Sequence, residues 1–129
     1  AISDRVAAME ELTIEDVDRI VPHQPNLRII ESLAKHLSVD MSKVEVNIQN
    51  YGNTSAATIP VALVEALEAG RIKPRDRILL AAFGAGLTRA AGLLRWGERI
   101  HPLKQSDAEL RTCKQTALEI VSESIQLTL

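Results

Sequence analysis

The spacing of apolar residues predicts two helices in the first two thirds of the chain. From Asn26 to Leu37 the apolar residues recur every three or four positions, with charged residues on the opposite side, as in an amphipathic helix. Pro25 suits the first turn of this helix. The segment from Ala56 to Ala69 is apolar on nearly every side, with Pro60 in its first turn and Gly70 as a stop signal. We therefore expect it to be a buried helix.

Shorter β-branched runs predict strands before and between these helices. Val17 to Val21 is one such run, and Pro22 ends it because proline cannot donate to a ladder. This strand brings His23 to its carboxyl end. Val44 to Ile48 alternates weakly and is expected to form a second strand.

The longest apolar runs lie close together, at Arg77 to Phe83 and Leu87 to Trp96, with Gly84-Ala85-Gly86 between them. We expect two neighbouring strands that are buried on both faces. Upstream, Thr13 to Asp16 matches a capping pattern that follows a helix ending near Glu11. The alternation of helices and strands predicts a layered α/β fold.

The character of the chain changes after Trp96. A polar linker precedes Ser106 to Glu109, a second capping pattern, and apolar residues then recur at helical spacing to Ile125, with Cys113 among them. We expect two parts: residues 1–96, and a linker with an amphipathic C-terminal helix over 97–129. Whether this tail is an extra surface helix, an interaction element or a remnant of cloning stays open at this point.

Composition narrows the function classes. The chain has 129 residues, 46% of them apolar and 25% charged, which is typical of a soluble globular protein. The net charge of −2, without blocks of like charge, disfavours nucleic-acid binding. No run is long enough to cross a membrane, and no export signal is visible. A single cysteine excludes an internal disulfide, so a cytoplasmic, reducing compartment is the expectation.

Two polar residues are candidates for chemistry. His23 follows a predicted strand, where an imidazole can donate or accept a proton near neutral pH. The plain alternative, a histidine satisfied by backbone groups at a turn, has about equal weight. Asn53 precedes the second helix, where its amide can donate to developing negative charge. A helix cap is the simpler interpretation of Asn53, and a glycosylation sequon at Asn53 to Ser55 is disfavoured because nothing indicates secretion.

Other motifs carry less. The Phe83 to Leu87 loop has two glycines but lacks the third glycine and the helix of a dinucleotide site, and a tight connection between strands explains it. The histidines His23, His36 and His101 are too scattered to predict a metal site. Cys113 lies on the apolar stripe of the tail helix and is expected to pack there without reacting. His36 and His101 are expected to be exposed.

Four motifs together resemble one family. They lie between Val21 and Trp96 in that family's order and spacing, and the likeness as a whole covers about three quarters of the chain. The motifs are Val21-Pro-His-Gln-Pro-Asn-Leu-Arg-Ile-Ile30, Tyr51-Gly-Asn-Thr-Ser-Ala-Ala57, Gly70-Arg-Ile-Lys-Pro74 and Ala82-Phe-Gly-Ala-Gly86. This stretch resembles the C-terminal half of β-ketoacyl-acyl-carrier-protein synthase III. The resemblance implies a thiolase-like fold in which two similar α/β halves, each with a mixed sheet, pack together.

The resemblance also implies site residues. His23 and Asn53 match the histidine and asparagine of the family's Cys-His-Asn triad. Substrate contacts are implied for Asn26, Phe83, Gly84 and Ala85, and carrier-protein contacts for Gln24 and Arg28. Ala85 stands where the family commonly has a glycine whose backbone N–H serves the oxyanion hole. The nucleophilic cysteine belongs to the other half, so we expect this chain to be part of a longer protein.

The implied reaction is a decarboxylative Claisen condensation in fatty acid biosynthesis. An acyl-CoA starter is loaded onto a cysteine, and the enolate of malonyl-acyl carrier protein attacks that thioester. The implied partners are acyl carrier protein, acyl-CoA, the N-terminal half and a second copy in a homodimer; no cofactor or metal is implied. Two alternatives remain: an acyltransferase of secondary metabolism that does not decarboxylate, and a non-catalytic interaction module with this fold.

Overall fold

The computed structural model describes residues 12–101, 115, 116, 119 and 122. Six regular elements occur in this part of the chain: β1 Arg19–Pro22, α1 Leu27–Leu37, α2 Ile48–Tyr51, α3 Thr58–Glu68, β2 Arg77–Gly84 and β3 Thr88–Arg95. Short 3-10 turns lie between them, at Ile14–Asp16, Met41–Lys43, Ser55–Ala57 and Ala85–Leu87. The order is one strand, three helices and two strands, and it gives the layered α/β fold that the sequence predicts.

The three strands form one mixed sheet in the order β1-β2-β3. β1 and β2 are parallel, with Ile20 opposite Leu79, and β2 and β3 are antiparallel, with Leu79 opposite Leu93. Because β1 and β2 run in the same direction, their carboxyl ends meet at one edge of the sheet. That edge is where ligands bind in open α/β folds.

Each face of the sheet is covered by one of the longer helices. Alternating strand residues point to opposite faces, so Ile20 and Leu79 pack with the buried face of α1. Val21 and Ile78 pack on the other side with the small residues of α3. The core therefore consists of two apolar clusters separated by the sheet, and it contains no described aromatic residue among its fully buried members.

Local signals set the boundaries of several elements. Asn26 caps α1 by accepting a hydrogen bond from the Ile29 N–H at 3.0 Å. Pro25 precedes this cap, so its expected place in the first turn was wrong by two positions. The capping box from Thr13 to Asp16 is present. Gly70 follows α3 in a left-handed conformation, with φ of 67°, as expected for a helix stop.

The predicted strand from Val44 to Ile48 is absent. Val44 makes only a single bridge to Ile20, and Ile48 already begins the short helix α2. The side chain of Gln24 takes the place of a neighbouring strand, because its amide oxygen accepts the Asn47 N–H at 3.1 Å. The weakly alternating segment is therefore irregular and is held by the side chain of Gln24.

Burial of α3 and β3 is lower than the sequence predicts. Only Thr58, Ala62 and Ala66 of α3 are buried, and Val64 is 49% exposed. No described residue of β3 falls among the buried ones, whereas Ile78 and Leu79 of β2 are fully buried. The expectations of a wholly buried helix and of two strands buried on both faces were wrong for this chain, because nothing within its described part covers these outer surfaces.

Several expectations lie outside the described residues. They are the helix that ends near Glu11, the capping pattern at Ser106 to Glu109, most of the tail helix expected after it and the packing of Cys113. Within the described residues, no helix has both the length and the apolar character that a membrane crossing requires.

Candidate active site

An open cavity of about 710 Å³ lies at the carboxyl edge of the two parallel strands. Its lining comes from the residue after β1, the segment leading into α3, and the ends of β2 and β3 that face each other: His23, Asn53, Ser55, Ala56, Thr58, Ile59, Ala82, Phe83, Gly84, Ala85, Thr88, Arg89 and Ala90. His23 and Asn53, which are 30 positions apart in the sequence, line the same space.

His23 is held at both its backbone and its ring. Its N–H donates to the carbonyl of Ala81 on β2 at 2.7 Å, which extends the parallel ladder past Pro22. Its ring nitrogen Nδ1 lies 2.6 Å from the hydroxyl oxygen of Thr58. The ring is thus paired with a side chain at the cavity and not with the backbone of its own turn. Nε2 is the ring nitrogen left for the cavity.

Asn53 is oriented by the turn that follows it. Its Oδ1 accepts the N–H of Ser55 at 3.0 Å, which makes a small Asx turn before the 3-10 turn. The caps of that turn and of α3 are Thr54 and Ala57, so Asn53 is not a helix cap. This bond assigns the oxygen end of the amide to the turn. The nitrogen end therefore points the other way and can donate a hydrogen bond.

The loop between β2 and β3 depends on small residues. A Cβ atom on Gly84 would lie 2.6 Å from Oγ1 of Thr88, and that hydroxyl donates to the carbonyl of Ala85 at 3.1 Å. Gly86 has φ of 72°, a left-handed conformation that favours glycine. Ala85 is not among the residues with positive φ, so an alanine fits there without backbone strain.

Asn26 and Arg28, for which the resemblance implies a substrate contact and a carrier-protein contact, lie at the start of α1 on the surface. Both residues are exposed, and Arg28 borders an adjoining groove of about 390 Å³ between α1 and the sheet, which shares Phe83 and Arg89 with the cavity. Neither residue lines the larger cavity. Gln24 is different: its side chain is fully buried and donates to the carbonyls of Pro22 and Glu45. A buried side chain cannot meet a carrier protein, so the expected contact for Gln24 is not supported.

The short helix α2, which precedes the loop with Asn53, is braced from α3. Glu65 accepts hydrogen bonds from the Tyr51 hydroxyl at 2.7 Å and from the Asn47 amide at 2.9 Å. These bonds hold the pKa of Glu65 below its ordinary value, and the bond from Tyr51 has the larger effect. The same contact raises the pKa of Tyr51 above its ordinary value. Both ends of α2 are therefore held to α3, at its N-cap Asn47 and at its last residue, Tyr51.

The charge around the cavity is of one sign, positive. Arg89 on β3 is part of the lining, and no Asp or Glu is found among the described lining residues. Thr58 and Arg89 were both missed from the sequence. Thr58 had one usable signal, a hydroxyl residue at the start of a predicted helix five positions after Asn53. Arg89 had none, since it sits inside an apolar run.

The remaining histidines do not join the site. His36 and His101 are both exposed, as expected. Within residues 12–101 and the few described tail positions, no group of three His, Cys, Asp or Glu residues could hold a metal ion.

Comparison with known proteins identifies the fold and the family. The family described as 3-oxoacyl-(acyl-carrier-protein (ACP)) synthase III C terminal matches residues 7–96. The chain belongs to this family. The resemblance seen in the four motifs is therefore confirmed.

Curated relatives agree with this assignment. The chain is similar to β-ketoacyl-acyl-carrier-protein synthase III 2 of Vibrio cholerae, with 53% identity over 126 residues, 98% of this chain and 35% of the relative. It is also similar to β-ketoacyl-acyl-carrier-protein synthase III of Clostridium tetani, with 50% identity over 93 residues, 72% of this chain and 28% of the relative. The chain thus spans about a third of the length of these relatives.

Solved structures confirm the thiolase-like fold. β-Ketoacyl-acyl-carrier-protein synthase III from Thermus thermophilus superposes with a TM-score of 0.73 at 48% identity, covering 76% of this chain and 30% of that one. The enzyme from Aquifex aeolicus gives a TM-score of 0.72 at 48% identity, covering 74% of this chain and 31% of that one.

The tail is shared with some relatives. The match to the Vibrio cholerae protein includes 98% of the chain, so it extends through most of residues 97–129. A remnant of cloning would not recur in a relative. That interpretation of the tail was wrong, and an extra helix or an interaction element remains.

Proposed function

We propose that this chain supplies the His and Asn part of the active site of a β-ketoacyl-acyl-carrier-protein synthase III of fatty acid biosynthesis. The observation that carries the proposal is the convergence of His23 and Asn53 on one cavity at the carboxyl edge of the parallel strands. Both side chains can present an N–H to the same small region. Membership of the synthase III family supplies the reaction class.

The chemistry explains why two neutral donors belong there. When malonyl-acyl carrier protein loses carbon dioxide, the electron pair of the broken C–C bond moves into an enolate, and negative charge develops on the thioester oxygen. Hydrogen bonds from His23 and Asn53 to that oxygen strengthen as the charge grows, so they lower the barrier. The enolate carbon then attacks the acyl thioester, and the cysteine thiolate leaves.

The nucleophilic cysteine comes from another part of the complete enzyme. No cysteine lines the described cavity, and Cys113 lies outside both the described residues and the family match. We propose that the outer apolar face of α3, which includes the half-exposed Val64, packs against the N-terminal half. The complete enzyme is then a cytoplasmic homodimer that needs no cofactor and uses acyl-CoA as starter.

Substrate entry is proposed along the surface of α1. Arg28 is an exposed cation near the start of this helix, and it suits an acidic carrier protein. Asn26 lies two positions earlier, and we assign it a contact with the incoming pantetheine arm. Phe83, Gly84 and Ala85 line the cavity and are proposed to contact the bound thioester, with the Ala85 N–H serving the oxyanion hole.

The test is malonyl decarboxylation by the full-length natural gene product. His23→Ala and Asn53→Ala are each expected to lower kcat about a hundredfold, the usual cost of one donor to a developing oxyanion. His101→Ala and Asn50→Ala, which change exposed residues of the same types, serve as matched controls and should keep wild-type turnover.

Three outcomes would contradict the proposal. Unchanged decarboxylation in both site variants would remove His23 and Asn53 from the reaction. Product analysis with malonyl and non-malonyl acceptors gives the second check. Acyl transfer without release of carbon dioxide would instead show a related acyltransferase, and loss of partner binding only on deletion of the tail would show an interaction module.

A further inference from the structure

The side chain of Gln24 directly follows His23 in the sequence but takes no part in the proposed reaction. Both of its N–H donors are in use: Nε2 donates to the carbonyl of Pro22 at 2.9 Å and to the carbonyl of Glu45 at 3.0 Å. Its Oε1 accepts the N–H of Asn47 at 3.1 Å. Gln24 is fully buried, so water does not compete for these bonds. One side chain thus holds three backbone groups.

The first of these groups belongs to the segment that carries His23. The carbonyl of Pro22 is part of the peptide unit that also contains the His23 N–H, and this N–H donates to the carbonyl of Ala81 on β2. The peptide unit before His23 is therefore held on both of its edges, by the sheet and by Gln24. Because a peptide unit is planar and rigid, these two bonds fix the direction in which the chain leaves β1.

The other two groups belong to the segment that leads to Asn53. Asn47 is the N-cap of α2, which ends at Tyr51, and Asn53 follows two positions later. The backbone N–H of Asn47 donates to Gln24, and its side-chain amide donates to Glu65 of α3 at 2.9 Å. The start of the helix before Asn53 is thus tied on one side to the end of β1 and on the other side to α3.

The backbone contact between these two segments is short. The Glu45 N–H donates to the carbonyl of Ile20 at 2.9 Å, next to the single bridge between Ile20 and Val44. Beyond this point, the described hydrogen bonds between the two segments are those of Gln24. At the level of the backbone, Gln24 therefore sets how the segment that leads to Asn53 lies against the end of β1.

We propose that Gln24 is a positioning residue that sets the backbone of His23 relative to Asn53, so that both N–H donors meet the same enolate oxygen. Gln24 does not touch the substrate, since it is fully buried and is not part of the cavity lining. Placement matters because a shift of about 1 Å can cost about a hundredfold in rate. The proposal rests on the proposed function, in which His23 and Asn53 both donate to that oxygen.

The experiment replaces Gln24 by methionine in the full-length natural gene product, alone and together with His23→Ala or Asn53→Ala. Methionine has a similar length and offers none of the three bonds. We expect Gln24→Met to lower kcat for malonyl decarboxylation about tenfold and to leave KM nearly unchanged. When His23 or Asn53 is already alanine, the same change should lower kcat less than about twofold, because the relative placement of two donors matters only while both are present.

A control separates misplacement from a general loss of stability. Leu37→Ala removes a buried side chain at the far end of α1 and is expected to destabilise the fold to a similar degree. Its kcat should stay at the wild-type value, and urea unfolding shows whether both variants are folded under the assay conditions.

Gln24→Glu takes the place of Gln24→Met if the methionine variant does not fold. Burial favours the protonated form of the new acid, which keeps the acceptor and one donor. The loss of one bond should lower kcat about threefold, again only while His23 and Asn53 are both present.

The proposal is overturned if the folded Gln24 variant keeps the wild-type kcat, if it lowers kcat by the same factor with and without His23 and Asn53, or if Leu37→Ala loses as much turnover. Failure of the proposed function looks different. In that case His23→Ala and Asn53→Ala decarboxylate as fast as the wild type, whatever the Gln24 variant does.

Discussion

Replacing Gln24 by methionine is predicted to destabilise the fold by about 3 kcal/mol, as two buried backbone groups lose their partner. Gln24 is fully buried beside His23. Its Nε2 donates to the carbonyl of Glu45 at 3.0 Å, and its Oε1 accepts the Asn47 N–H at 3.1 Å. Methionine has a similar length but offers neither group.

The magnitude follows from the burial of those partners. Glu45 is 4% exposed and Asn47 is 5% exposed, so water does not readily replace the lost bonds. A buried donor or acceptor without a partner costs about 1–3 kcal/mol, and two such groups give the stated figure. The carbonyl of Pro22 in β1 also accepts from Gln24, so the figure for two groups is a lower bound.

Urea unfolding of the full-length protein and amide hydrogen exchange measure the global and the local effect. The peptide that contains Asn47 should exchange about fivefold faster in Gln24→Met, since its amide loses an acceptor worth about 1 kcal/mol. Gln49→Met is the control, because Gln49 is exposed and its change should cost less than about 0.5 kcal/mol. Equal stability of the two variants, with unchanged exchange at Asn47, would refute the reasoning.

Two further predictions concern the loops around the site. Tyr51→Phe removes the hydrogen bond that lowers the Glu65 pKa. A carboxyl group with a lowered pKa stabilises the fold above its ordinary pKa of 4.5, and this stabilisation is lost as the pH falls through the folded pKa. The difference in Tm between Tyr51→Phe and wild type should therefore narrow from pH ~7 to pH ~3. A constant gap would contradict this. Gly86→Ala forces a side chain into a left-handed conformation and should cost about 1 kcal/mol in urea unfolding. Gly92→Ala, which has open space and no positive φ, should cost less, and equal costs would contradict the strain argument.

Features decided by neighbours in the sequence were predictable. The cap at Asn26, the stop at Gly70 and the capping box at Thr13 each depend on a side chain or a backbone angle within a few residues. The segment after Val44 was not predictable in this way. The Glu45 N–H bonds to Ile20 of β1, but the Glu45 carbonyl and the Asn47 N–H bond to the side chain of Gln24, more than 20 positions earlier, so the alternating pattern did not produce a strand.

The candidate site divides along the same line. His23 could be placed at a strand end, and Asn53 before a helix, from local pattern alone. That they share a cavity follows from the parallel pairing of β1 with β2, which no local pattern contains. Thr58 could not be predicted as a site residue, because its contact with the site is with His23, 35 positions away. A threonine at a helix start also has an ordinary local explanation.

The errors about burial carry information of their own. An apolar side chain such as Val64 gains about 25 cal/mol for each Å² of apolar area removed from water, and at 49% exposure much of that gain is unrealised in this chain. A helix that is apolar on nearly every side but covered on only one indicates a second contact surface. Because the chain spans about a third of its relatives, the outer faces of α3 and β3 have room for such a contact in a complete enzyme. The apolar pattern of these two elements therefore fits burial in the complete enzyme better than burial in the chain alone.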